Sequence, residues 1–85
     1  MPELLVKIVT LKGPQLEEDA YMVTLPAWDG EVGILPAHIP YIFKLRDGTV
    51  KLYKENDHIK REIQIQGGFA RVCDNSVNIV TNSVA

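Results

Sequence analysis

The chain has 85 residues and a formal net charge of −2, from nine Lys and Arg residues against eleven Asp and Glu residues. This length allows one domain with one hydrophobic core and excludes a multidomain enzyme built on a cofactor fold. The basic residues are spread along the chain with acidic residues between them, which excludes the clustered patch of a nucleic-acid binder, and no apolar run approaches the roughly 20 residues of a membrane-spanning helix.

The composition favours strands over helices. Val, Ile and Thr together provide 21 residues, against five Ala. Branching at Cβ costs side-chain freedom in a helix but suits the pleated surface of a sheet. Short apolar or alternating runs recur every ~8 to 12 residues between turn signals, which is typical of a β-sandwich or barrel. We therefore predict an all-β fold.

The first predicted strand covers residues 4–9 and is closed by the Lys-Gly-Pro sequence that follows. Residues 15–19 are short and acidic, and they are predicted as an edge strand or a loop. Residues 20–25 alternate in polarity and predict a second clear strand. We expect Pro26 to end this strand, because proline lacks the N–H that a central strand requires.

Residues 27–31 are predicted as a loop, and a brief apolar stretch follows at 32–35. Pro36 and Pro40 bracket the next segment, which should be extended and cannot be helical. The remaining strands are predicted at 41–45, 49–53, 59–66, 69–73 and 77–81.

Three turn signals separate these later strands. Asp47-Gly48 predicts a hairpin that pairs 41–45 with 49–53. Residues 55–58 predict a polar turn. Gly67-Gly68 predicts a bulge or a sharp bend between sheets.

Catalytic and metal-binding patterns are weak. His38 and His58 lack the spacing of a metal-binding helix, and Cys73 has no Cys or His partner nearby in sequence. Burial as a small apolar side chain is the expected fate of Cys73, and a single cysteine fits a reducing compartment. Residues 1–5 carry no basic region before their apolar stretch, so no signal peptide is predicted. We expect no cofactor and no metal.

The loop from Trp28 to Gly33 differs from these weak patterns. It holds the only Trp of the chain, Trp28, and two glycines flank Glu31 so that the backbone can turn sharply around an outward carboxylate. A Trp in a loop either folds back on the core or is offered to a partner, and the sequence leaves both open.

The same region carries a family resemblance. Residues 29–40 read DGEVGILPAHIP, and they follow the sequence VTLP at 23–26. This resembles the N-terminal domain of the epsilon subunit of bacterial F-type ATP synthases, where the run is an acidic residue followed by Gly-Glu-hydrophobic-Gly-Ile-hydrophobic-Pro-Gly-His-x-Pro. Gly67-Gly68-Phe69 looks like the family's Ser-Gly-Gly-Phe, with Gln66 in place of Ser. The resemblance covers essentially the whole chain.

The resemblance implies a single domain over residues 1–85. Its fold would be a flattened sandwich of two packed sheets with about eight to ten short strands and no substantial helix. It also implies a non-catalytic subunit of the central stalk, which binds the gamma subunit and the polar loops of the c-ring and helps to couple proton flow to ATP synthesis. Such a subunit is peripheral, on the cytoplasmic face of the bacterial plasma membrane.

Two sets of residues take their roles from this resemblance. The c-ring contact loop would comprise Trp28, Asp29, Gly30 and Glu31. The gamma contact would comprise His38, Ile39 and Pro40.

Besides Gln66, three departures from the family pattern are visible. Ala37 stands where the family has Gly, which we expect to be harmless if the φ angle of this residue is negative. Trp28 stands where the family often has a small or acidic residue. The family's C-terminal helical hairpin has no counterpart after Ala85, so inhibition through that hairpin is not expected of this sequence.

Two other classes of function remain open at this point. The first is a free-standing sandwich that acts as a protein-interaction adaptor. The second is a hydrolase or metal site built from His38 with Asp29 and Glu31.

Overall fold

The computed structural model describes residues 3–84, which form nine β-strands and no helix. Met1, Pro2 and Ala85, at the ends of the predicted domain, lie outside the described residues. The predicted all-β fold is confirmed. The strands are β1 (Leu4–Thr10), β2 (Gly13–Ala20), β3 (Met22–Ala27), β4 (Gly30–Ile34), β5 (Tyr41–Leu45), β6 (Gly48–Tyr53), β7 (Ile59–Ile65), β8 (Gly68–Cys73) and β9 (Ser76–Val80).

The strands pair in the order β2-β1-β9-β8-β5-β3-β6-β7, with β4 on the other side of β3. Only the Ala27–Leu45 pair joins β3 to β5. This narrow junction divides the path into one half of five strands (β2, β1, β9, β8, β5) and another of four (β4, β3, β6, β7). The two halves form the predicted sandwich. The β1–β9 pair is parallel, and every other pair of neighbouring strands is antiparallel.

One hydrophobic core lies between the halves. Alternate residues of β1 (Leu4, Val6 and Ile8) are fully buried, as the two-residue period of a strand requires. Burying an aliphatic side chain of this size contributes about 1.5–3 kcal/mol each. The core combines side chains of both halves, among them Leu4, Val6, Ile8, Val23, Leu25, Ile34, Val50, Leu52, Ile65, Val72, Val77 and Ile79.

Charged side chains connect the two ends of the strand path. Strand β2 includes the acidic segment 15–19, which is therefore an edge strand rather than a loop. Its Glu18 forms an ion pair with Arg61 of β7. The Nζ atom of Lys60 donates to the carbonyl of Asp19 over 2.6 Å. Side chains thus bridge β2 and β7, between which no backbone pairing forms within residues 3–84.

The hairpin predicted at Asp47-Gly48 is wrong. Strand β5 pairs with β8 and β3, whereas β6 pairs with β3 and β7, so this turn crosses from one half of the sandwich to the other. Glycine is required at position 48 because a side chain there would collide with a neighbouring residue, and not because of a hairpin conformation. A Cβ atom on Gly48 would lie 2.7 Å from the Cβ of Pro26.

Pro26 does not end its strand, contrary to our prediction, because β3 continues to Ala27. Residues 22–24 of β3 pair with β6, and Ala27 pairs with β5. Pro26 lies where the strand changes partners, so its missing N–H falls where the ladder is already interrupted. Its carbonyl still accepts a hydrogen bond from the amide of Arg46 over 2.9 Å.

The predicted bend at Gly67-Gly68 is confirmed as a passage between the halves, from β7 to β8. Gly68 has a φ angle of +116°, and a Cβ atom on it would lie 2.0 Å from the carbonyl oxygen of Val80. Only glycine fits this close approach of two backbones.

Candidate functional site

The loop that carries Trp28 is a two-residue hairpin turn between β3 and β4. Ala27 and Gly30 are the last paired residues, which leaves Trp28 and Asp29 at the tip. Trp28 is 58% exposed, and Asp29 and Glu31 are exposed as well. Of the two arrangements left open by the sequence, the structure therefore has Trp28 offered to solvent. We call residues 28–31 the hairpin tip.

The hairpin tip is attached to β5. The amide of Trp28 donates to the carbonyl of Lys44 over 2.7 Å. The Nζ atom of Lys44 lies 4.6 Å from the centre of the Trp28 ring, within range of a cation–π interaction. The backbone of Trp28 is therefore hydrogen-bonded to β5, and its indole ring contacts a side chain of the same strand.

The hairpin tip presents unpaired negative charge next to an aromatic surface. Within residues 3–84, neither Asp29 nor Glu31 forms an ion pair. An open cleft of about 520 Å³ is lined by the tip and by neighbouring residues of β5, among them Tyr41 and Phe43. This arrangement suits contact with a polar or basic protein surface, since aromatic side chains supply area and the carboxylates supply charge complementarity.

The segment at residues 35–40 forms a tight turn after β4. The amide of His38 donates to the carbonyl of Leu35 over 3.3 Å, which closes a four-residue turn with Pro36 and Ala37 at its centre. The Nδ1 atom of His38 lies 2.6 Å from the carbonyl oxygen of Ile39. We call residues 35–40 the turn segment.

The φ angle of Ala37 is +68°, so the expectation of a negative value is wrong. Pro36 occupies the second position of the turn and Ala37 the third, and a type II turn requires a positive φ at its third position. This requirement explains the Gly of the family pattern. Alanine at this position carries a steric cost of about 1 kcal/mol or more.

The turn segment exposes apolar side chains while its backbone is held. Ile39 is 72% exposed and Leu35 is 49% exposed. The ring of His38 packs 6.2 Å from that of Phe43, which itself packs against the core. The amide of Ala37 donates to the Oδ1 atom of Asn75 over 2.6 Å. The turn segment therefore presents apolar side chains that a partner surface could cover.

The two predicted contacts lie at opposite ends of β4. The hairpin tip includes the first two residues of this strand and the turn segment follows its last residue, and the three residue steps from Glu31 to Ile34 span roughly 10 Å. The structure therefore does not bring His38 together with Asp29 and Glu31, as a hydrolase or metal site would need. No three His, Cys, Asp or Glu side chains converge anywhere in the described part of the chain.

Cys73 is half-buried rather than buried, contrary to our prediction. It ends β8 beside the turn to β9, where the core no longer covers it, and its Sγ atom lies 3.5 Å from a carboxylate oxygen of Asp74. His58 is exposed in the β6–β7 turn, where a polar turn was predicted.

A row of mostly apolar side chains on the outer face of the five-stranded half was not predicted from the sequence. The register aligns Lys44 of β5, Phe69 of β8, Val80 of β9 and Val9 of β1 side by side. Phe69 and Val80 are more than half exposed, at 55% and 59%. Alternation within each strand indicates which residues face outward. The row, however, depends on pairing between strands that are distant in sequence.

Residues 3–84 include no helix with the length and apolar character needed to cross a membrane. The family model of the "ATP synthase, Delta/Epsilon chain, beta-sandwich domain" matches residues 3–85.

Curated relatives give the same result. The ATP synthase epsilon chain of Rickettsia typhi is 39% identical over 79 residues, which cover 92% of this chain and 72% of the relative. The epsilon chain of Desulfitobacterium hafniense is 37% identical over 78 residues, which cover 92% of this chain and 58% of the relative.

Solved structures share the fold. A chain in the cryo-EM structure of the Euglena gracilis mitochondrial ATP synthase superposes with a TM-score of 0.88 at 24% identity, over 100% of this chain and 54% of that one. A chain of the Tetrahymena thermophila mitochondrial ATP synthase gives 0.76 at 18% identity, over 96% of this chain and 65% of that one.

The resemblance found in the motif at 29–40 is thus confirmed by a match over nearly the whole chain. The prediction of a non-catalytic component is confirmed by the same relatives, since the epsilon chain is not a catalytic subunit. The chain belongs to the ATP synthase delta/epsilon family, of which it carries the β-sandwich domain.

Proposed function

We propose that this chain works in the central stalk of an ATP synthase, where it binds the gamma subunit through the turn segment and the polar loops of the c-ring through the hairpin tip. It would thereby lie on the cytoplasmic face of the membrane as a peripheral part of the complex. The observation that carries this proposal is the placement of two exposed, anchored segments at opposite ends of β4.

The gamma contact is supported by exposed apolar area. Ile39, at 72% exposure, and Pro40 project from a turn whose backbone is already held, so binding would cost little ordering entropy. Desolvation of such side chains is the main favourable term in protein association. The ring of His38 lies 6.2 Å from that of Phe43, next to this exposed edge.

The c-ring contact is supported by charge and by an aromatic anchor. Glu31 is exposed at the hairpin tip, and Trp28 beside it supplies a large surface at low rotamer cost. Lys44 holds the indole ring in place through the cation–π contact. Polar loops with basic groups would find complementary charge at the exposed carboxylates.

A coupling part must transmit torque without bending. Strand β4 pairs with β3 along its whole length, from Gly30 to Ile34. Ile34 at its far end is fully buried in the core. A force applied at the hairpin tip would therefore be passed to the turn segment through a paired strand rather than through a flexible loop.

Co-purification with a gamma subunit tests the proposal. We expect the chain to bind an epsilon-free gamma subunit at micromolar concentration and to elute with it in size-exclusion chromatography. Ile39→Ser should weaken that binding about tenfold, because it removes an exposed apolar anchor. Leu11→Ser is the matched control, since Leu11 is 97% exposed in the β1–β2 turn and should leave the affinity unchanged. A chain that stays monomeric beside gamma would refute the proposal.

A further inference from the structure

Asn75 makes contacts with two segments that are distant from it in sequence. It lies in the two-residue turn between β8 and β9, where Asp74 and Asn75 have φ angles of 50° and 60°. Positive φ at both positions is typical of a type I′ hairpin turn, and Asn tolerates this conformation better than most residues. Its carbonyl accepts a hydrogen bond from the amide of Leu5 over 2.9 Å, so the turn is also attached to β1.

The side chain of Asn75 reaches the turn segment. Its Oδ1 atom accepts the amide hydrogen of Ala37 over 2.6 Å, across 38 positions of sequence. In the described chain, this is the one hydrogen bond that joins residues 36–40 to anything beyond the turn segment. Pro36 and Pro40 have no amide hydrogen to donate, and the amide of His38 is used inside the turn.

The amide that donates this hydrogen bond belongs to Ala37, the residue with the unfavourable backbone conformation. Ala37 is an L-residue at a φ of +68°, a conformation that persists only where surrounding contacts hold it. Without the Asn75 acceptor, rotation of Ala37 toward negative φ would relieve the steric cost. That rotation would redirect the residues that follow it, including the exposed Ile39.

We infer that Asn75 is the positioning residue of the turn segment: by accepting from the Ala37 amide it holds Ala37 at positive φ and thereby fixes the direction in which His38, Ile39 and Pro40 face a partner. The expected effect of Asn75 on gamma binding rests on the proposed gamma contact. Its expected effect on hydrogen exchange of the Ala37 amide does not depend on that proposal.

Two substitutions of Asn75 separate the side-chain acceptor from the backbone. Asn75→Gly removes Oδ1 but permits positive φ, so the β8–β9 turn and its bond to Leu5 remain possible. Asn75→Asp keeps an acceptor oxygen at the same place and also tolerates positive φ. Asn56→Gly is the matched control, because Asn56 accepts the amide of His58 in the exposed β6–β7 turn.

The first measurement is hydrogen exchange of the Ala37 amide by NMR. We expect the exchange to accelerate about tenfold in Asn75→Gly, and to stay near the wild-type rate in Asn75→Asp and Asn56→Gly. Unchanged exchange at Ala37 in Asn75→Gly would overturn the inference, whatever the affinity for gamma.

The second measurement is the affinity for the gamma subunit. We expect Asn75→Gly to weaken binding about five- to tenfold, and Asn75→Asp to restore it to within about twofold of wild type. Equal binding by wild type and Asn75→Gly would overturn the positioning role alone. Absence of binding by wild type would refute the proposed function and this consequence of it, while the exchange result would still show whether Asn75 holds the turn.

Discussion

The Nζ atom of Lys44 lies 4.6 Å from the centre of the Trp28 ring, and the carbonyl of the same lysine accepts the amide hydrogen of Trp28 over 2.7 Å. One residue of β5 therefore holds both the backbone and the side chain of the hairpin tip. Because β5 also pairs with β8, the tip is connected directly to the five-stranded half of the sandwich. A large aromatic side chain that is 58% exposed and yet held in orientation is well suited to bind a partner.

Trp28→Ala and Glu31→Ala test the proposed c-ring contact. Each should weaken coupling, and Trp28→Ala should lower the affinity for the c-ring about tenfold or more, since it removes the aromatic anchor. Neither side chain is buried, so the free energy of unfolding should change by less than about 1 kcal/mol. The measurement is proton pumping by the reconstituted complex, with Leu11→Ala as the exposed control. Pumping at the wild-type rate by both variants would show that the hairpin tip does not contact the ring.

Local sequence patterns predicted the strands well and their partners poorly. Alternation marked 20–25 and 59–66 as strands because burial on one face has a period of two. The turn signal at Asp47-Gly48 does not predict the strand pairing, since a Gly required by the close approach of Pro26 looks the same in sequence as a Gly required by hairpin geometry. Only the tertiary contact distinguishes these two reasons for glycine.

The candidate site shows the same difference between local sequence patterns and tertiary contacts. The motif at 29–40 located the hairpin tip and the turn segment, because turn residues and exposed charges are local features. Lys44 and Asn75, which hold those segments, lie 16 positions beyond Trp28 and 38 beyond Ala37. No local pattern could assign them, since their role follows from strand pairing and from a turn on another hairpin.

Gly68→Ala should abolish or severely weaken folding. The added Cβ would lie 2.0 Å from the carbonyl oxygen of Val80, at a φ of +116° that alanine rarely adopts. The contact is between two backbones, so relief would require separation of β8 from β9, and we expect a loss of more than about 3 kcal/mol. Gly33→Ala is the control, because its nearest neighbour would be the Sδ atom of Met22 at 3.8 Å. Urea denaturation of both variants gives the comparison, and similar stabilities would contradict the close approach of β8 to β9 at Gly68.

Thr24→Val and Thr81→Val should have opposite effects on stability. The hydroxyl of Thr24 is buried and has no hydrogen-bond partner among the described residues, so an isosteric methyl should raise the free energy of unfolding by about 1 kcal/mol. The hydroxyl of Thr81 donates to the carbonyl of Gly67 over 2.7 Å. Its loss should cost about 1–2 kcal/mol and leave that carbonyl without its partner. Thermal denaturation measures the stability of both variants. A change of the same sign in the two would contradict the difference in hydrogen bonding between the two hydroxyls.

Ala37→Gly should stabilise the protein, although glycine usually weakens a fold. The φ of +68° at the third position of a type II turn costs alanine about 1 kcal/mol or more, whereas glycine adopts it freely. Glycine also gains entropy in the unfolded chain, which offsets about 0.4–1 kcal/mol of that relief. The net rise in the free energy of unfolding should be about 0.5 kcal/mol, or a few degrees in Tm for a domain of this size.

Ala20→Gly provides the control for that substitution. Ala20 is buried at the end of β2 and has no positive φ, so glycine there should lower the free energy of unfolding by about 1 kcal/mol or more. If the free energy of unfolding rises in Ala37→Gly and falls in Ala20→Gly, the backbone conformation at position 37 explains the difference, since both substitutions remove the same side chain. If Ala37→Gly instead destabilised the protein as much as Ala20→Gly, Ala37 would not occupy the positive-φ position of the turn, and the hydrogen bond from its amide to Asn75 would lose its geometric basis.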